Sequence, residues 1–357
     1  MNKICLLIAL MFSTLNCYAL FLHDHIEYEL NNNTRTAKVK LCWEKFSQSD
    51  YSIPESVTFD DIKYTVTSIG DNAFEKNTIL TDITIPKTVT TIGNNAFKDC
   101  TNLTNVNLPN TINSIGDRAF AYCSQLVSIN IPNAVIHIGR YAFQYCIALK
   151  SINIPECLTD IEDATFVWCT SLTSVTIPNS VLTIGQNAFA WCTHLESVVI
   201  PRYVTTIEYG AFNNCNELKR VYSLIDDPSS SIFNVFSYEN RNFTILYVKK
   251  GLKSEYQKSW GFYFTTIIEI SDEEYKDLFN ATTNIKNINT NNNICISTTE
   301  GNIVINTTCE TQPIYVYNIS GKLIKTTFTN GYKTTLSLEN KGIYVVKIGN
   351  NIFKVQL

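Results

Sequence analysis

Catalysis and metal binding need cysteine, histidine, carboxylate or hydroxyl groups held together, and this chain offers several candidates. It has twelve cysteines, and six of them (Cys100, Cys123, Cys146, Cys169, Cys192 and Cys215) recur every 23 residues. Such a set could pair as disulfides between neighbours in an oxidising compartment, or lie inside the fold as free thiols. The four histidines are His23, His25, His137 and His194. His23-Asp24-His25 could form a metal pair, but no further set at ligand spacing accompanies it. His137 and His194 stand apart from any cysteine or carboxylate group. Asp160, Glu162 and Asp163 crowd oxygen ligands together; calcium is one reading and a solvated acidic edge is the better one. There is no nucleophile elbow, zinc-protease motif or phosphate loop. The sequence therefore assigns no catalytic residue, metal or cofactor, and the chain reads as a binding protein rather than an enzyme.

The cysteine spacing belongs to a larger pattern. Pro86, Pro109, Pro132, Pro155, Pro178 and Pro201 are also 23 apart, and so are Phe74, Phe97, Phe120, Phe143, Phe166, Phe189 and Phe212. Three columns in register mean an internal repeat, which here covers residues 64–224 in seven units. In the unit Lys87 to Pro109, Leu103, Val106 and Leu108 end on strand-like alternation. Pro109 stops the strand, because proline cannot donate to a ladder. Ile92-Gly93-Asn94-Asn95-Ala96-Phe97 reads as a turn into a short helical piece on the opposite side. One coil cannot bury its apolar face alone, but stacked coils bury a continuous core and bring their strands into a parallel sheet.

The pattern Ile115-Gly116-Asp117-Arg118-Ala119-Phe120-Ala121-Tyr122-Cys123 through Pro132 resembles the BspA-like leucine-rich repeats. It recurs from Ile184-Gly185 through Cys192 to Pro201. Glu162 and Glu208 depart from the glycine, and Asn77 from the first cysteine. The resemblance implies a repeat solenoid with a parallel sheet and short helical or turn segments. It places the cysteine column at the inward position of the coil, as buried free thiols. It also implies a role in binding host matrix proteins or other cell surfaces.

Stacking presents the same outward positions again and again, which gives two candidate binding surfaces. The first is the strand face, with Asn105/Asn107, Ser128/Asn130, Ser151/Asn153 and Ser174/Thr176. These are small polar groups with little charge, so they would not steer a partner electrostatically. The second is the column just before the cysteines: Tyr122, Tyr145, Trp168 and Trp191. Stacked aromatics could grip a sugar or an apolar protein patch, or simply pack on one another to seal the coil edge.

The flanks complete the plan. Lys3, the apolar run Ile4 to Phe12 and Cys17-Tyr18-Ala19 read as a signal peptide over residues 1–19. A lipoprotein reading would instead acylate Cys17. Residues 20–63 supply a β-hairpin cap, with strands around an Asn-rich turn. Residues 225–270 form the second cap, with a strand at Thr244 to Val248, a helix at Ser254 to Trp260 and a final strand at Phe264 to Ile270. Residues 271–292 read as a polar linker.

Residues 293–357 carry short strands at sandwich spacing, so the fold class adds a C-terminal antiparallel β-sandwich. Val316-Tyr317-Asn318-Ile319-Ser320-Gly321-Lys322-Leu323 and Gly342-Ile343-Tyr344-Val345-Val346-Lys347 resemble the C-terminal sorting domain of type IX secretion substrates. That resemblance implies the type IX machinery as a partner and a final location outside the outer membrane. A carbohydrate-binding or immunoglobulin-like module is the other reading. The formal net charge is −4, with 17% charged residues, and no basic run suggests nucleic acid. No later stretch is long enough for a transmembrane helix.

Overall fold

Each coil turns where its sequence directs it. The computed structural model describes residues 18–42, 49–229, 234–281, 289–291, 294–299, 302–307, 312–318, 321–329, 333–338, 342–348 and 351–356. A short strand precedes each repeat proline, as at Asn105–Asn107, Ser128–Asn130 and Ser174–Thr176. These strands pair in parallel with one-coil register, for example Ser128 with Asn105 and Ile129 with Val106. A second parallel ladder runs through Thr91–Ile92, Ser114–Ile115 and His137–Ile138. The chain is thus a parallel β-solenoid of the leucine-rich-repeat type.

The third side of the coil differs from expectation: no helix follows Ile92-Gly93. That arc is made of turns. Asn95 (φ 53°) and Asp99 (φ 60°) adopt the left-handed conformation, which breaks any helical run. The N–H groups of Asn95, Phe97 and Asp99 donate to the carbonyls of Asp117, Ala119 and Ala121 in the next coil, at 2.8, 2.7 and 2.8 Å. Backbone groups that a helix would satisfy within itself are satisfied here between coils.

Close stacking explains the glycine column. A Cβ on Gly116 would lie 2.7 Å from the Asn94 nitrogen and 2.7 Å from the Gly93 carbonyl carbon, both backbone atoms that cannot give way. Beside it, side-chain oxygens link the coils. Asp71, Asn94 and Asp117 each accept the N–H of the residue 23 places on, at 2.7–2.8 Å.

The core is a file of rings. Phe74, Phe97, Phe120, Phe143, Phe166, Phe189 and Phe212 are fully buried. The file continues to Phe236, with centroids 5.2–5.5 Å apart and planes within 4–13°. That is offset stacking, repeated at the coil spacing. Tyr51 closes the file edge-on at one end and Phe264 at the other.

The cysteines lie alongside as buried free thiols. Cys100 Sγ donates to the Phe74 carbonyl at 3.1 Å, and the remaining five repeat the contact at 3.2–3.3 Å. Burial raises the pKa values of Cys123, Cys146, Cys169, Cys192 and Cys215, the last to about 12. They therefore stay protonated and unreactive. Cys157, outside the column, is disulfide-bonded.

The stacking does not stop at residues 64 and 224. Asp50–Ser52 pairs in parallel with Asp82–Thr84 at one end. At the other, Ile245–Lys249 adds to Arg220–Ser223, and Thr266–Ile270 adds to Ile245–Lys249. Both expected caps thus extend the ladder. Between the last two strands lies helix α1, Lys253–Ser259. A second helix, α2, occupies Asp272–Ala281, inside the stretch read as linker. Its Tyr275 packs with Leu224 and Ile270 and donates to the Leu224 carbonyl at 3.2 Å. Apolar contact with the last coil thus holds part of a polar stretch.

At the N-terminal end, Tyr18–His23, Ile26–Asn31 and Thr36–Cys42 form an antiparallel set. Thr36–Cys42 then pairs in parallel with Ile62–Ile69. Residues 1–17 of the expected leader lie outside the described residues. At the C-terminal end, two four-stranded antiparallel sheets run from Asn289–Asn291 to Asn351–Gln356. Their buried residues, Ile294 through Val355, form one core separate from that of the solenoid.

One irregularity interrupts the solenoid. Both ladders break between the coil of Cys146 and the coil of Cys169: His137–Ile138 ends one sheet and Ser151–Ile152 another. On the strand face the gap is crossed by the bridge from Asn153 to Thr176 and by a long bond from the Thr173 N–H to the Lys150 carbonyl at 3.5 Å. The turn side stays continuous, with Phe143 N–H on the Thr165 carbonyl at 2.9 Å. Glu162 replaces the glycine here. Glu208 does the same further on, yet Thr206–Ile207 remains paired with Thr183–Ile184. The exchanged side chain alone therefore does not open the seam.

Candidate functional site

Outward strand positions meet in a shallow groove of about 600 Å³. Asn105, Asn107, Ser128, Asn130, Ser151 and Asn153 line it, with Val106, Ile129 and Ile152 beneath. The alternation that buries the apolar residues sends their polar neighbours outward. The structure therefore brings Asn105, Asn107, Asn130 and Asn153 together in one place. Thr176 lies across the seam and does not line the groove. Asn153 has a second job. Its carboxamide donates to the Ile131 carbonyl at 2.6 Å and accepts the Ile131 N–H at 3.0 Å. Those bonds hold it to the neighbouring coil and reduce what it can offer a ligand.

The aromatic column stands on the turn side. Tyr122, Tyr145, Trp168 and Trp191 stack at 4.9, 5.3 and 4.4 Å with planes within 5–9°. All four adopt the left-handed conformation, with φ between 58° and 65°. That conformation is rare and costly for a bulky residue. Asp99 and Asn214, which tolerate it better, hold the neighbouring positions of the same column. The first three rings are half-buried, and Trp191 is 37% exposed. Trp168 also packs on Ala164, Val167 and Ala190. The column is thus part structural and part surface. It cannot grip a flat ligand along its length, because each inner ring has both faces covered by its neighbours.

The remaining candidates are placed as follows. Arg140 pairs with Glu162 and Asp163 at 3.5 and 3.6 Å, so those carboxylates sit in an ion-pair cluster. His23 lies 3.4 Å from Asp24. His194 contacts the Thr170 carbonyl at 2.6 Å. Among the described residues no group of three His, Cys, Asp or Glu could hold a metal.

Sequence reasoning missed two features. Arg202 and Lys249 both pair with Asp226 in one column of coil turns. Burial works against that carboxylate, yet the two cations hold its pKa below the usual range. The spacing of 24 and 23 residues was the available signal.

The second is Glu156, just after Pro155 at the seam, where neighbouring coils carry Asn133 and Asn179. Burial raises its pKa from 4.5 to about 7, and one carboxylate oxygen has no protein partner. In the unfolded chain the group titrates at its ordinary value. Between those two pH values the folded chain binds more protons than the unfolded chain. Its stability is therefore full below about pH 4.5 and lost as pH rises through 7. Because the side chain is only half-buried, the effect is about 1 kcal/mol after allowing for solvent screening. Glu156→Gln should raise stability by that amount at pH 8 and leave it unchanged at pH 4. Urea denaturation at the two pH values checks this, and equal shifts at both would refute it.

A file of short parallel strands, with a polar groove on one side and aromatic edges on another, defines a leucine-rich-repeat solenoid. The family model described as "BspA type Leucine rich repeat region" matches six copies, over residues 45–171, 113–237 and 159–273. The chain belongs to that family. Among solved structures it is similar to a T. pallidum leucine rich repeat protein at 24% identity, covering 55% of this chain and 89% of that one, with a TM-score of 0.49. It is similar to a leucine-rich repeat protein from Bacteroides capillosus at 31% identity, covering 37% and 96%, with a TM-score of 0.34. A leucine rich cell surface protein from Faecalibacterium prausnitzii is 21% identical, covering 73% and 97%, with a TM-score of 0.38. No curated protein matches the chain. Among the described residues no helix is long and apolar enough to cross a membrane.

Proposed function

We propose that this chain is an exported binding protein, displayed on or released from the cell surface, which holds its ligand on the solenoid. The carrying observation is that outward groups recur coil after coil and converge in the groove of Asn105, Asn107 and Asn130. Solenoids of this kind typically serve as non-enzymatic binding scaffolds. Under this reading residues 1–19 direct export and are removed. Residues 20–63 and 225–270 close the ends of the solenoid. Residues 293–357 form a β-sandwich that the type IX secretion machinery reads and that attaches the protein outside the cell. Two antiparallel sheets around one core, together with the sequence resemblance, support that assignment. The partner is a host matrix protein or another cell's surface protein.

A glycan is the second reading, favoured by the indole and phenol tips along the turn side. The full chain without its leader should bind a subset of immobilised matrix proteins or polysaccharides in a solid-phase screen. Saturable binding to one class selects between the readings. Absence of saturable binding to both classes would overturn the proposal.

A further inference from the structure

The aromatic column stops before the solenoid does. Inner rings show only their edges to solvent, but an end ring keeps one face. Trp191 stacks on Trp168 at 4.4 Å with one face, and its other face points to the next coil. There the column position is held by Asn214, in the same left-handed conformation (φ 57°). The Asn214 side chain is half-buried and makes no hydrogen bond within the described residues. One coil further only the core file of phenylalanines continues. Phe236 stacks on Phe212 at 5.4 Å, and the Asn214 N–H donates to the Ser237 hydroxyl. Tyr238 therefore stands two residues past Phe236, as Asn214 stands two past Phe212. Tyr238 is 52% exposed. Arg241 lies over its ring at 5.0 Å and donates to its hydroxyl at 2.8 Å. Tyr238 begins a 3-10 turn and leans on Phe262 at 5.3 Å, so among the described residues no ring follows Trp191 in the column, and Asn214 holds the next rung.

We propose that this rung binds one pyranose ring of a glycan, with its C–H face on Trp191 and two adjacent hydroxyls on the Asn214 carboxamide. The proposal rests on the reading of the chain as a binding protein and deepens it. An indole face is electron-rich and attracts the weakly positive hydrogens on the apolar side of a sugar. A carboxamide sets an acceptor beside a donor, which suits neighbouring hydroxyls that each donate and accept. An aromatic side chain of a protein partner could stack on Trp191 equally well. It would leave the Asn214 amide desolvated and unpaired, which costs free energy. That difference favours the sugar.

The test uses the full chain without its leader and a panel of methyl glycosides of glucose, galactose, mannose, fucose and N-acetylglucosamine. Binding is read by saturation-transfer NMR and by tryptophan fluorescence. Trp191→Asn places in the rung the residue that position 214 already carries in the same backbone conformation, so the coil should fold. Asn214→Trp instead fills the gap with a protein ring. At least one glycoside should bind the parent chain. Both variants should weaken it by about tenfold or more, with unchanged circular dichroism. Trp168→Phe, which keeps a ring in an inner rung, should retain binding. The site falls if neither Trp191→Asn nor Asn214→Trp changes the affinity, or if no glycoside binds. It falls equally if N-acetylphenylalanine amide binds at Trp191 and the sugars do not. A chain that loses the glycoside with Trp191→Asn but still binds a matrix protein separates this site from the wider binding function.

Discussion

Phe143→Ala should cost about 3–5 kcal/mol of stability, the ordinary penalty for emptying a buried aromatic site. The ring sits between Phe120 and Phe166 at 5.5 Å on each side. Its position is fully buried. Neighbouring backbone is pinned to adjacent coils by inter-coil hydrogen bonds, so the cavity cannot close by collapse. The position also lies beside the seam, where both strand ladders are interrupted. Stacking and turn-side bonds are the main links between the two halves there. Loss of the ring should therefore broaden the unfolding transition and separate it into two phases, because coils in a repeat protein couple chiefly to their neighbours. Urea titration followed by circular dichroism reads both effects. A loss under about 1 kcal/mol would show that the ring is not a core element.

Deleting residues 293–357 should abolish surface display while leaving the solenoid folded. The apolar residues of the two C-terminal sheets form their own core, and none of them belongs to the solenoid core. Helix α2, which packs on the last coil through Tyr275, is retained. Units with separate cores fold independently as a rule. The truncation is made also with Cys157→Ser, which covers the case that this disulfide reaches the deleted part. Surface labelling of whole cells should detect the parent and not the truncated chain, whose circular dichroism keeps its solenoid signature. Normal amounts of truncated protein at the surface would refute the sorting role.

The register of the solenoid was legible because three residue types mark it independently. Phenylalanine must fill the core, proline must end the strand, and a small group must sit under the turn. Each has a physical reason to recur at the coil period. The turn side was not legible as turns. Ala96-Phe97 suits a helix locally, and only the neighbouring coil supplies the acceptors that win those N–H groups. The ends were read too short for a related reason. Tyr51 and Phe236 continue the core, but Tyr51 keeps the period of 23 without the phenylalanine that marks it, and Phe236 lies 24 residues past Phe212. Helix α2 was missed because its polar sequence hides one good contact, Tyr275 against Leu224.

The candidate site was half-legible. Alternation identified Asn105, Asn107 and Asn130 as outward. The period found the aromatic column, but a spacing in sequence does not reveal that ring faces cover one another. It also gave no warning that Asn153 would bond to Ile131 rather than stand free.

The hydrogen bonds between coils run along the solenoid, not across it. Tension applied to the two ends is therefore borne by every junction in series, and the weakest gives first. At most junctions two strand ladders and the turn-side bonds share the load. At the seam between the coils of Cys146 and Cys169 the ladders are interrupted, leaving the turn-side bonds, the stacked rings, the bridge from Asn153 to Thr176 and two long bonds, Thr173 N–H to the Lys150 carbonyl and the Thr170 hydroxyl to the Ile147 carbonyl. A solenoid pulled from its two ends would part there, yielding length while the coils on either side stay wound. Pulling on the two ends is therefore expected to open the solenoid first at this break in the ladder.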